Sequence, residues 1–274
     1  MRASWEPLFM FESKKIGRIA GIDLYIHPTF WLLLGFVLLT QGSLFAVVFT
    51  AAIFGCVVLH EFGHALTARS FGIGTRDITI YPIGGVARLS RMPKSPGAEL
   101  LISLAGPAVN LVIAAVLGLA VQSSVLSAVW ERAAVVDEFA RDLVLANLAL
   151  AVFNMIPAFP MDGGRVVRAL LSGLVGRLRA TEIAAALGQA LAIGLPIVLM
   201  FLGMFSFMHV ILAAFVFMAA RAELASVRAE SRARSHVPPA GYRWVDLGGG
   251  MWQLVPITVG TGGAWGHSGP WQRH

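Results

Sequence analysis

His60-Glu61-Phe62-Gly63-His64 puts two imidazoles four residues apart, with a carboxylate beside the first. On a helix this spacing stacks His60 and His64 one turn apart on a single face. Two neutral imidazoles converging in this way can share one zinc ion. Glu61 then stands where it can take a proton from a water at that ion. Short motifs of this kind also arise by chance, but the setting favours function. From Leu24 to Leu59 the chain has no Asp, Glu, Lys or Arg, and the motif closes that apolar run. Ionisable groups at membrane depth are costly and usually mark function. The pentapeptide therefore reads as part of a metal site inside a membrane span.

A catalytic zinc takes three protein ligands and keeps a fourth position open. Asp162 is the leading candidate for the third. It is the other carboxylate in the heart of the apolar segments, and it follows a break, Asn154-Met155-Ile156-Pro157-Ala158-Phe159-Pro160-Met161, that frees the backbone to aim it inward. The competing reading is that an Asp before Gly163-Gly164 caps a helix; its two oxygens allow both roles. The single cysteine, Cys56, excludes an internal disulfide and a cysteine-based zinc cage, and reads as a packing residue. Asn110 reads as an interhelical hydrogen-bonding group, and His209 as a loop or interfacial residue.

The elements that must position these groups are apolar. Of 274 residues 57% are hydrophobic and 13% charged, and the mean hydropathy is +0.75. A soluble domain has about twice that charged fraction. The fold class expected is an α-helical polytopic membrane protein with about six transmembrane helices and a small membrane-associated β-hairpin or sheet. Residues 1–20 form a cytoplasmic or interfacial lead without the order of a cleavable signal. Residues 21–225 form the membrane domain, and 226–274 a cytoplasmic tail. A strand is expected within 16–26. Spans are expected near 27–40, 43–70, 98–121 and 142–156, with two more sharing 183–220 around a turn at 203–209. Strands at 77–81 and 86–89 flank Pro82-Ile83-Gly84-Gly85, and a further helix covers 165–175. Broken backbone at 154–164 is tolerated at membrane depth only under protein or a wet cavity.

The net charge of +6 sits beside the apolar spans, as topology determinants do, so no nucleic-acid partner is expected. The connection at 69–94 carries Arg69, Arg76, Arg88, Arg91 and Lys94. The segment at 122–142 carries Arg132 and Arg141 against Glu131, Asp137, Glu138 and Asp142. The positive-inside rule then places both termini in the cytoplasm. Trp244, Trp252, Trp265 and Trp271 in the tail can rest on the membrane interface or on the bundle.

With the ion held by His60, His64 and Asp162, Glu61 would pass a proton from water to a leaving amine while a carbonyl is attacked. A helical substrate hides its carbonyls. A peptide added as a strand beside the 78–89 hairpin would expose them.

These motifs together resemble the site-2 protease family of intramembrane zinc metalloproteases. His60 to His64 resembles its zinc-binding helix. Asn154-x-x-Pro157-x-x-Pro160-x-Asp162-Gly163 resembles its second signature, Gly106-Pro107-Ala108-Val109-Asn110 its G-x-x-x-N element, and Pro82 to Ala87 its membrane-embedded hairpin. The resemblance covers about residues 14 to 225. It implies one Zn2+ per chain, with Asp162 as the third ligand and Glu61 as the catalytic base. It further implies that Asn154 orients the substrate backbone and that Gly84 and Gly85 lie near the substrate. The implied substrates are membrane-tethered proteins with a transmembrane segment, cleaved within the lipid bilayer, and the expected location is the plasma membrane. No PDZ-sized insertion interrupts the spans. Members of the six-span branch often carry a C-terminal CBS pair, and residues 235–274 are too short for one, so regulation by adenine nucleotides is not expected. The alternative is a non-proteolytic zinc-binding membrane protein or transporter. A transporter should show repeated halves and a polar path, and the sequence shows neither.

Overall fold

A computed structural model describes residues 12–91, 93, 95–123, 133–235, 241–246 and 252–256. Strand β1 (Lys14–Ile19) turns directly into β2 (Ile22–Ile26), and the two pair antiparallel. Both turn residues have positive φ, Ala20 at 52° and Gly21 at 82°, as a tight hairpin matched to strand twist requires. Helix α1 (Pro28–Gln41) and helix α2 (Leu44–Ser70) then carry the chain across to β3 (Thr75–Tyr81), which runs parallel to β2. Strand β4 (Gly84–Leu89) returns antiparallel to β3 and completes a sheet of order β1-β2-β3-β4.

The strands expected within 16–26 and at 77–81 and 86–89 join in one mixed four-stranded sheet. The reason is burial. Ile22, Leu24, Ile78 and Ile80 form one face of the sheet, which packs with Phe62 and Ala65 of α2 and Phe30 of α1. The sheet therefore lies on the helix that carries the histidines.

Ser95 caps α3 (Pro96–Gln122) through its hydroxyl and the Ala98 N–H, with Pro96 in the first turn. Helices α4 (Ala133–Asn154), α5 (Asp162–Val175), α6 (Arg177–Phe201) and α7 (Phe207–Ser235) follow. Among the described residues, four helices are long and apolar enough to cross a membrane: α2, α3, α6 and α7 as far as Ser231. The expected number was about six. Helix α1 has 14 residues and rises only about 21 Å at 1.5 Å per residue, short of the roughly 30 Å of bilayer hydrocarbon. Helix α4 carries Asp137, Glu138, Arg141 and Asp142 in its first half, so its apolar stretch begins only at Leu143. Leu32, Leu39, Phe201 and Leu202 point outward uncovered, as side chains that meet acyl chains do.

The chain divides into two compact units, Met1–Ala225 and Ser226–His274. In the second, β5 (Tyr242–Asp246) pairs antiparallel with β6 (Trp252–Pro256), Trp244 opposite Leu254 and Asp246 opposite Trp252. Residues 1–11 of the lead, Lys94, Glu131, Arg132, Trp265 and Trp271 lie outside the described residues.

A buried ion network ties α5 to α3 and α7. Arg168 is 1% exposed. Its Nε donates to Glu99 Oε1 at 2.7 Å, its Nη1 donates to Glu223, and its guanidinium lies over the Phe159 ring. Arg177 stands 3.7 Å from the second oxygen of Glu99. Removing one partner leaves a desolvated charge behind. Arg168→Leu is expected to destabilise the fold by about 3–5 kcal/mol, measurable as a lower thermal midpoint in detergent.

Candidate metal centre

Helix α2 is amphipathic in its last turns. Phe62 and Ala65 face the sheet, and His60 and His64 face α3. Two glycines allow the close approach. A Cβ at Gly63 would stand 2.8 Å from the Ala105 carbonyl oxygen, and a Cβ at Gly106 would stand 2.6 Å from His60 Nε2 and collide with His64 Nε2. Gly106→Ala is therefore expected to push both rings aside and lower zinc affinity at least about tenfold, read by competition with a calibrated chelator.

Asp162 is delivered by the break after α4. The chain folds back over the first turn of α5. A Cβ at Gly163 would strike the Ile156 and Met155 carbonyl oxygens, and one at Gly164 would stand 2.7 Å from Phe159 N. The helix N-cap is Met161, which makes no side-chain capping bond. Asp162 is the first helical residue, and its Oδ2 turns to the histidines, 3.2 Å from His60 Nε2 and 3.1 Å from His64 Nε2. The two Nε2 atoms are 3.0 Å apart. All three residues are buried.

The protonation pattern at this point decides whether a cation fits. His64 Nδ1 lies 2.6 Å from the Ile102 carbonyl oxygen, which can only accept, so Nδ1 carries the hydrogen. His60 Nδ1 lies 2.5 Å from Asn110 Oδ1 and donates likewise. Both neutral rings then present a bare Nε2 lone pair to the other and to the Asp162 carboxylate. Three acceptors converge within 4.8 Å of one another, which is repulsive unless a metal cation lies among them or a ring takes up a second proton. A tetrahedral zinc about 2.0–2.2 Å from each donor sets neighbouring donors about 3.3–3.6 Å apart, close to the spacing found. Two imidazole nitrogens and one carboxylate oxygen form a donor set suited to zinc.

Glu61 is separate from the three. Its Oε2 accepts from the Ala87 N–H of β4 at 3.2 Å. A Cβ at Gly85 would stand 2.7 Å from Glu61 Cγ, so β4 can pass the carboxylate only without a side chain there. Gly84, at φ 138°, has open space where a side chain would be. Asn154 ends α4, and its Nδ2 donates to the Leu150 carbonyl of its own helix at 2.9 Å. The structure thus brings His60, His64, Asp162, Glu61 and Gly85 together, while the Asn154 amide is engaged within its own helix.

Two readings from the sequence gain specific partners. Asn110 is the interhelical hydrogen-bonding group expected, and it bonds to His60 and to Asn147. Cys56 is buried as expected, but its sulfur also receives a hydrogen bond from Asn147 Nδ2 at 3.3 Å. Asn147 itself went unnoticed in the sequence, although an amide inside the run Leu143–Phe153 is a visible signal. His209 Nδ1 accepts from the Ser206 N–H at the entry to α7, a local role.

Residues 48–201 match Peptidase family M50. The chain belongs to the M50, or site-2 protease, family. A zinc metalloprotease of Methanocaldococcus jannaschii is 37% identical to this M50 chain over 228 residues, covering 81% of this chain and 63% of that protein. Stage IV sporulation protein FB of Bacillus subtilis is 26% identical over 155 residues, 55% of this chain and 48% of that protein. A solved structure of the site-2 protease from Methanocaldococcus jannaschii matches with a TM-score of 0.57 at 35% identity, covering 78% of this chain and 95% of that one. The M50 chain therefore spans less than two thirds of the length of these curated relatives. Its four apolar helices and its family make it an integral membrane protein.

Proposed function

We propose that this M50 member is an intramembrane zinc endopeptidase that cleaves transmembrane segments of membrane-tethered proteins. The observation that carries the reading is the buried convergence of three lone-pair donors, His60 Nε2, His64 Nε2 and Asp162 Oδ2, with the Glu61 carboxylate beside them as a fourth group outside the set. These three residues would hold one Zn2+. Bound there, zinc supplies Lewis acidity that activates water and stabilises negative charge on a carbonyl oxygen.

The remaining work falls to the chain. Glu61, one residue from His60 on the same helix, accepts the proton of the attacking water and returns it to the leaving amine. Strand β4 is an edge strand, so, apart from the Ala87 N–H that Glu61 takes, its outer N–H and C=O groups can receive a further strand. A substrate unwound along β4 would gain backbone hydrogen bonds there and expose its carbonyls. Gly84 and Gly85 leave the space for that backbone. Asn154 would orient it once its amide exchanges the Leu150 carbonyl for the substrate. The burial of His60, His64 and Asp162 limits competing water.

Six membrane crossings would need α1 and α4 as short members beside the four long apolar helices. Both termini and the 226–274 tail would be cytoplasmic, in the plasma membrane. A transporter is disfavoured because among the described residues most of the buried polar groups gather at this site and at the Arg168 network instead of lining a path. The test is cleavage of a transmembrane substrate co-reconstituted with the purified protein. Chelation should abolish cleavage and zinc should restore it. Cleavage that survives complete zinc removal would overturn the proposal.

A further inference from the structure

We propose that Asn147, acting through Asn110, is a positioning residue that fixes His60 in the tautomer able to bind a metal. The inference rests on the reading of His60 as a ligand. Three side chains from three helices form a single buried line. His60 on α2 meets Asn110 on α3. Asn110 Nδ2 meets Asn147 Oδ1 on α4 at 2.9 Å. Asn147 Nδ2 meets the Leu143 carbonyl at 2.8 Å and Cys56 Sγ at 3.3 Å. Asn110 and Asn147 are both fully buried.

An amide can turn end over end, and its orientation is set by its neighbours. The Leu143 carbonyl settles this one, because a carbonyl oxygen cannot donate. It requires the NH2 of Asn147, which turns the Asn147 oxygen toward Asn110. Asn110 must then donate to Asn147, which turns its own oxygen toward His60. His60 must donate from Nδ1, which leaves the lone pair on Nε2, facing His64 and Asp162. Reversing either amide would set an NH2 against His60 Nδ1. The ring hydrogen would then move to Nε2 and point into the position the metal needs. Outer partners of this kind, which fix the ring orientation and tautomer of a ligating histidine, typically matter 10–100-fold in metal affinity. His64 needs no such line, since its Nδ1 faces a backbone carbonyl that cannot turn.

Asn147 lies two side chains from the ligands, so an effect on metal affinity could also come from loosened packing. A carboxylate at position 110 separates the two. Both of its oxygens accept, so it has no wrong way round and does not need Asn147 to hold it.

The experiment measures zinc affinity by chelator competition, and the visible spectrum of the Co2+ form, for wild type, N147L, N110D and N110D/N147L. His60→Ala serves as the reference for a lost ligand, and thermal midpoints are taken alongside. N147L should bind zinc about 10–100-fold more weakly with a changed Co2+ spectrum. N110D/N147L should return to within about threefold of N110D alone, a coupling of the kind that mutant cycles isolate. If N147L does not fold, N147A takes its place in the same comparison. Zinc affinity unchanged in N147L, or a loss that Asp at position 110 does not restore, overturns the proposal. Zinc binding by wild type that His60→Ala leaves untouched would instead refute the metal centre itself.

Discussion

Glu61→Gln should lower kcat for a transmembrane substrate by a factor of about 100–10,000, the usual contribution of a positioned general base, while bound zinc stays at one per chain. The two halves of this result come from different atoms. The proposed metal donors are His60 Nε2, His64 Nε2 and Asp162 Oδ2, whereas Glu61 Oε2 faces the Ala87 N–H. Glutamine keeps the size and can still accept from that N–H, so the helix and β4 should stay in place. What is lost is the ability to hold a proton between water and the leaving amine. Parallel zinc analysis and single-turnover cleavage check the result. Undiminished cleavage would remove Glu61 from the chemistry, and loss of zinc would mean that it supports the site structurally.

Asp162→Ala should have the opposite signature. It removes one of the three donors and leaves two imidazole lone pairs 3.0 Å apart. Zinc affinity should fall by more than about a hundredfold, beyond the range seen for outer partners alone, and cleavage should fall with it. The fold should survive, because Asp162 does not cap α5; the N-cap is Met161. Chelator competition together with a thermal midpoint separates the outcomes. A large fall in stability with normal metal binding would return Asp162 to a structural role.

The metal helix was legible because its chemistry is local. His60 and His64 lie one turn apart, and that relation holds in any fold that keeps the helix. Asp162 was legible as a candidate because a carboxylate beside a broken helix at membrane depth needs a reason, but its choice between cap and ligand depended on where the break folded. Gly163 and Gly164 let residues 155–161 lie directly on the helix start, and Asp162 Oδ2 then faces the two histidines.

What stayed hidden was long-range. The pairing of β2 with β3 joins segments separated by two helices, and no periodicity reports it. The line from His60 to Asn147 crosses 37 residues between Asn110 and Asn147 alone. The Arg168–Glu99 pair spans 69. Each such group looks, in the sequence, like an isolated polar residue near an apolar run. Of the six spans expected, α1 and α4 fall outside the four described helices long and apolar enough to cross, α1 because of its length and α4 because of the charges in its first half.

The most direct measurement is zinc X-ray absorption on the purified wild-type protein, paired with metal analysis. One zinc per chain is expected, bound by two imidazole nitrogens and a carboxylate oxygen at about 2.0–2.2 Å, with the imidazole signal reduced in His60→Ala and in His64→Ala. A folded protein that takes up no zinc when zinc is supplied, or one whose zinc environment is unchanged by both substitutions, would contradict the account.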